Sequence, residues 1–435
     1  MTQPISKHLF LASTLAALVS GCLLKLDGLD AGIDESSDTD ELVDDLECLI
    51  GTELDAVGVT RSSWDPQCEV TCAEGWGHDG AQLPIAWTAT VPPHEGPLSL
   101  PVALGLLENG RLVVASISSP SISLLFLEPD GLNIGGFDVE EIGSTISGVE
   151  IDSHVLYIAH GHGQGTIELR AVDLDSQQTL WSQTFAGEWA STPARAGDKI
   201  AFVLTTGQED VTKELVVLDL DGQVQWTRPT IGAANGVALS PSGDRLAVSG
   251  DATRIYAAND GELLDEFVHG FVGGFYSQTA TFVDEDRVIT VGSGIEIERL
   301  DGWLAGDSLS GDVSWERTYN RATSWCPDPE DDEWSASTAE WLVAVATLAD
   351  GSLVAAGSEN FEGGGVFGSH PWVARFSAEG EFLGSDRGLW AGYAIDTVAG
   401  PDGSVFVLMV DKLLTLSEDG PPQESRGFAV RKYVP

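Results

Sequence analysis

Positive charge is scarce in this chain: 21 Lys and Arg stand against 68 Asp and Glu in 435 residues, a formal net charge of −47. A surface that binds phosphate backbones must be positive, so nucleic-acid partners are excluded. The apolar stretch Leu9 to Val19 is shorter than the ~20 residues a membrane-spanning helix needs. The 50 glycines follow no triplet period, which excludes collagen, and 43% hydrophobic residues exclude a disordered chain. No C-x-x-C occurs among the five cysteines, so neither a thioredoxin-like redox site nor a zinc knuckle is supported. No G-x-S-x-G nucleophile elbow is present, and the eight histidines define no triad.

What is present begins with a leader. Lys7 supplies a positive start and Leu9 to Val19 an apolar stretch ending in small residues, the pattern of a secretion signal. Val19-Ser20-Gly21-Cys22 resembles the lipobox of bacterial lipoproteins. The resemblance implies cleavage before Cys22 and acylation of that residue, and several acyl chains hold a protein stably at a bilayer. Leu23 rather than Asp follows, which by the sorting rule of such lipoproteins implies the outer membrane. Residues 27–47 then carry ten acidic side chains and no Lys or Arg. Self-repulsion keeps such a run extended, and it lacks the fixed ligand spacing of a calcium loop, so it reads as a solvated tether.

From Ile85 onward, short β-branched strands alternate with Gly, Asp and Pro turns, and no helical period is sustained. One strand type recurs, with its first apolar residue at Leu112, Leu156, Ile200, Leu246, Val288, Leu353 and Val405. The steps are 44, 44, 46, 42, 65 and 52 residues, the spacing of four-stranded propeller blades. A hairpin usually follows each anchor, as in Leu169-Arg-Ala-Val-Asp-Leu-Asp-Ser-Gln-Gln-Thr-Leu-Trp181 and Leu215-Val-Val-Leu-Asp-Leu-Asp-Gly-Gln-Val-Gln-Trp226. The expected fold is therefore all-β, a single β-propeller of seven blades with eight as the alternative. Closing the ring requires the two chain ends to share a blade. The C-terminal stretch Gly427 to Val434 reads as its third strand and Ile85 to Val91 as its fourth.

These hairpins resemble the quinoprotein-like repeat, and Leu239-Ser-Pro-Ser-Gly-Asp-Arg-Leu246 is also similar to WD40 and surface-layer repeats. That resemblance implies the propeller fold and is nearly silent on activity. Quinone-dependent dehydrogenases are its enzymatic members. The vicinal disulfide of the alcohol-oxidising ones is missing here, so no cofactor is expected and the 13 tryptophans read as blade-packing residues.

The chain thus divides into a signal peptide (1–21), lipidated Cys22 with its tether (22–47), a cysteine-rich segment (48–84) and a propeller (85–435) with an insertion around 304–338. The insertion holds Trp325, Cys326 and Trp334, and such an insertion either forms a binding face or packs the cysteine-rich segment onto the ring. His160-Gly-His162 follows a strand in a glycine-rich turn and offers two weak metal candidates with no third ligand, against an ordinary exposed loop. Asp219-Leu-Asp221-Gly222 reads as a hairpin turn rather than a calcium loop. The expected function is a non-enzymatic, outer-membrane-anchored module for a protein or glycan partner. The alternative is a quinone-dependent dehydrogenase-like or other propeller enzyme with its site at the central channel.

Four thiols remain beside Cys22: Cys48, Cys68, Cys72 and Cys326. An even count in an exported chain predicts two disulfides, with one bridge reaching from the N-terminal segment to Cys326. Intact-mass measurement under non-reducing conditions should find no free thiol in the mature protein; alkylated cysteines would overturn the pairing.

Overall fold

A computed structural model describes residues 81–434, apart from 92–99, 320–338 and several shorter loop stretches. The described residues form strands and turns without a helix, arranged as seven four-stranded antiparallel sheets in a ring: a seven-bladed β-propeller. Blades one to four run in chain order through residues 100–139, 145–186, 189–229 and 234–267, blade five through 275–319 and blade six through 339–387. The seventh combines Gly392–Ala399, Val405–Thr415 and Gln423–Tyr433 with the early strand Ile85–Val91. Ile85 pairs with Tyr433 and Val91 with Phe428, so the two ends of the chain close the ring in one blade, as the sequence predicts. Just before that strand, Ala81–Gln82 pairs in parallel with Gly384 and Ser385 on the outer edge of blade six.

All seven anchor residues lie at or near the start of the second strand of a blade, and none exceeds 2% exposure. Their conserved spacing has a packing cause. Alternate residues of a strand point to opposite faces of the sheet, and in a ring each face meets a different neighbour. The buried apolar residues accordingly fall into seven clusters, one at each seam between blades. Val113, Ala115 and Val139 of blade one meet Val149, Leu156 and Ile158 of blade two, while Leu112 and Val114 face the other way, onto Phe406 and Leu408 of blade seven.

The inner strands share a device that the sequence does not announce. In each blade the inner strand carries one residue more than the second strand opposite it: Val102, Ser147, Asn235, Gln278, Val343 and Ile395 are the extra residues in six blades. In blade three the surplus falls between Ala190, paired with Leu204, and Ala194, paired with Ala201. A bulge bends its strand and increases the local twist. Repeated at one height, it gives every inner strand the same bend beside the channel.

Four seams are also fastened by a tryptophan. Trp87, Trp181, Trp226 and Trp315 each stand on the outer strand of one blade and lay their rings against Gly131, Gly222, Gly261 and Gly380 in the last turn of the next blade. Three of the indole N–H groups donate to carbonyls of those turns: Trp87 to Pro129 at 3.1 Å, Trp181 to Leu220 at 2.6 Å and Trp226 to Ala258 at 2.8 Å. The four glycines have φ between +72° and +87°, a left-handed conformation that also leaves no Cβ in the way of the ring. At the seam of blades six and seven a buried polar triad takes this role, with Tyr433 Oη donating to Asp386 Oδ2 at 2.7 Å and Arg431 Nη1 at 2.5 Å from the same oxygen.

A matched pair of substitutions separates the two demands on these glycines. A Cβ at Gly222 would lie 2.6 Å from the Trp181 ring, whereas Gly165, at φ +73°, has open space around it. Gly165→Ala should lower unfolding free energy by about 1–2 kcal/mol, and Gly222→Ala by about 2–5 kcal/mol because the ring is displaced as well. Chemical denaturation of both variants checks this; equal losses would show that the dock contributes nothing.

Candidate functional site

In a sheet of four antiparallel strands, the hairpin between strands two and three shares one end with the link into the next blade. One face of the ring therefore carries those hairpins and links. The other carries the hairpins between strands one and two and between strands three and four. On the first face, in blade two, the structure gathers a cluster of ionisable side chains.

His160 lies inside the strand Val155–Gly163 and is fully buried. This corrects the expectation of an exposed loop after a strand: the strand continues through both histidines. Its register places Glu168, on the strand Thr166–Asp173, directly opposite His160, and cross-strand partners have side chains on the same face. Glu168 Oε2 lies 2.6 Å from His162 Nε2, and Oε1 lies 3.7 Å from His160 Nε2. Oε1 also accepts from Arg170 Nε at 2.9 Å, and Arg170 Nη1 donates to the Glu140 carbonyl at 3.3 Å. Desolvation pulls the Glu168 carboxyl upward, but the hydrogen bonds from His162 and Arg170 together with the charges of Arg170 and His160 outweigh it and hold the group below its usual range. Burial lowers His160 to about 4, so this ring is neutral near pH 7.

Glu168 is the member that the sequence reading missed. The signal was available in the pairing of strands: with Val155 opposite Asp173, counting up the ladder brings His160 to Glu168. Two other expectations find their places. The turn Asp219 to Gly222 is a hairpin turn in which Asp219 Oδ1 accepts from the backbone N–H of Asp221 at 3.1 Å and of Gln223 at 2.8 Å. Cys22, Cys48, Cys68, Cys72, Cys326, Trp325 and Trp334 lie outside the described residues. The insertion expected around 304–338 narrows at its start, because Arg299–Ser308 and Trp315–Tyr319 are the third and fourth strands of blade five.

A second constellation joins blades four and five. His269 Nε2 is 3.2 Å from Thr253 Oγ1 and 3.5 Å from Asp307 Oδ2, and Thr253 reaches Thr290 Oγ1 at 2.9 Å. A nucleophile relay needs the acid and the hydroxyl on opposite ring nitrogens; here one nitrogen faces both. Thr253 and Thr290 are fully buried, so this arrangement ties two blades.

Beside the central channel, Asp396 on the inner strand of blade seven accepts from Leu104 N of blade one through Oδ2 at 2.8 Å and from Thr397 N through Oδ1 at 2.8 Å. Burial nevertheless raises it to about 6. Glu150, on the inner strand of blade two, is raised by burial and then by the charges of Asp396 and Asp152. No protein family and no curated protein matched this chain in comparison.

The raised acid makes stability depend on pH. The folded chain keeps the Asp396 proton up to about pH 6, whereas an ordinary aspartate releases it near 3.8. Between those values the folded state binds more protons, so this group's contribution to stability falls as pH rises through the window. Asp396→Asn carries no such proton. Its unfolding free energy should therefore rise relative to wild type between about pH 4 and 6, as read by denaturation at fixed pH steps; parallel profiles would refute the assignment.

Proposed function

We propose that the protein is a lipid-anchored propeller that displays one face of its ring to a protein or glycan partner of the cell envelope. The observation that carries this reading is where the N-terminal chain joins the ring. Ala81–Gln82 pairs near the start of the outer strand of blade six, and Ile85 begins the outer strand of blade seven beside Tyr433. Both positions belong to the face that bears the hairpins of strands one and two and of strands three and four. An anchor at Cys22, followed by the acidic tether of residues 27–47, turns that face toward the bilayer. The opposite face, with the links between blades, points outward.

The longest link supports the same orientation. Tyr319 ends the outer strand of blade five and Ala339 begins the inner strand of blade six, so both ends of the segment 320–338 lie on the outward face. Trp325 and Trp334 belong to that segment. Tryptophan is enriched among the side chains that anchor partners at protein interfaces. Repulsion between an acidic chain and polyanions leaves neutral glycans and basic or neutral proteins as the partners it can hold.

Replacing Cys22 by Ala should move the exported protein from the membrane fraction to the soluble fraction, and intact mass of the wild type should show acyl chains on a chain beginning at residue 22. Separately, Trp325→Ala with Trp334→Ala should lower recovery of an envelope partner in pull-down without altering membrane association. A soluble wild type, or undiminished capture by the double variant, would overturn the corresponding half of the proposal.

A further inference from the structure

The cluster on blade two has the composition of a metal site, and one of its atoms is not accounted for. His160 is fully buried, and its Nε2 has no hydrogen-bond partner although the atom is shielded from solvent. A buried polar atom without a partner is expensive, which asks for a reason. Nε2 points toward Glu168, and the three ligand atoms, two imidazole nitrogens and a carboxylate oxygen, all lie within 4.8 Å of one another. His162 remains 41% exposed on its side chain, so the cluster is closed on the blade side and reachable from the outward face.

We propose that His160, His162 and Glu168 bind one divalent first-row transition metal of the zinc class, with a fourth position open to solvent. Two nitrogens and one oxygen suit Zn(II) and its neighbours, whereas Ca(II) and Mg(II) take all-oxygen sets. Ligands about 2.0–2.1 Å from a tetrahedral ion stand about 3.4 Å apart. A pair 4.8 Å apart closes by about 1.4 Å to reach that geometry, a movement that the exposed His162 side chain supplies. Glu168 is already oriented for it: Arg170, itself fixed by the Glu140 carbonyl, donates to Oε1, while Oε2 faces His162, the second nitrogen ligand.

Loading moves the proton of one imidazole. In the metal-free ring, His160 Nδ1 accepts the N–H of Gly143 at 3.0 Å, which places the proton of the neutral imidazole on Nε2. Binding requires that proton on Nδ1 and the Nε2 lone pair on the metal. A turn of the Ile142–Gly143 peptide, through ψ of Ile142 and φ of Gly143, lets the Ile142 carbonyl accept Nδ1–H, and the glycine side of that change is unhindered by a Cβ. Any proton shared between His162 and Glu168 leaves to solvent. Occupancy should therefore be linked to a local change at Gly143.

The test uses the full-length chain, stripped with a chelator and titrated with Co(II) and then Zn(II). One Co(II) per chain should give tetrahedral-type visible absorption without a thiolate charge-transfer band, and Zn(II) should displace it. His162→Ala, at an exposed position, and Glu168→Gln should each weaken binding by about tenfold or more. Zn(II) should also raise the thermal midpoint of the wild type and not of His162→Ala, because a ligand of the native state stabilises it by mass action. Absence of saturable binding would overturn the site. So would binding that both variants leave unchanged, or a thiolate band, which would assign the metal to the acidic tether or to the cysteines.

Discussion

A propeller has no common centre of hydrophobic packing. Every buried layer in this chain lies between two neighbouring sheets, and each sheet divides its alternate residues between two layers. A sheet with a neighbour on one side only would expose half of its apolar residues to water, so the seven layers stand or fall with closure of the circle. The antiparallel pairing of Ile85–Val91 with Gln423–Tyr433 provides that closure. It joins residues more than 300 positions apart, and its formation orders the layer in which Leu112 and Val114 meet Phe406 and Leu408. Contacts of such separation form late and slowly, because the loop entropy precedes the gain.

Much of this was legible in the chain because the same physics repeats seven times. A strand that buries residues on both faces reads as a short apolar run, and its recurrence every 44 residues or so marks the blade. The closing strand was legible for the same reason: Ile85–Val91 is a strand-like run with no other place in the count. The inner-strand bulges were not. A bulge adds one residue within a strand and changes neither composition nor alternation enough to be noticed at Val102 or Ile395. Glu168 was missed on similar grounds, since a ligand supplied by a neighbouring strand is separated from His160 and His162 by a turn and is found only through the register. The stretch 304–338 includes strand residues at its start, because Arg299–Ser308 and Trp315–Tyr319 belong to blade five, so part of the extra spacing is strand.

The excess of acid also acquires a structural address. Asp130, Asp219, Asp260, Asp284, Asp350 and Asp402 each accept backbone N–H groups within the tight turns at one face of the ring. In such turns the carboxylate replaces a missing main-chain partner. Several are steadied by a cation from the adjoining strand, as Asp350 is by Arg375 and Asp402 by Lys432. Most of the described Lys and Arg side chains are thus engaged in local pairs, and much of the negative charge of the described residues sits in the turns of the blades.

The place where the N-terminal chain enters has a mechanical side. Tension arriving through residue 80 meets first the two-residue parallel pairing at Gly384 and Ser385, then the strand beginning at Ile85. That strand runs away from its entry point, so a pull directed out of this face acts along the strand axis. The hydrogen bonds to Phe428–Tyr433 are then strained together in shear rather than peeled one after another. The strand that completes the circle is also the strand on which a tethered ring would hang, and the geometry of its attachment is the one that resists force best.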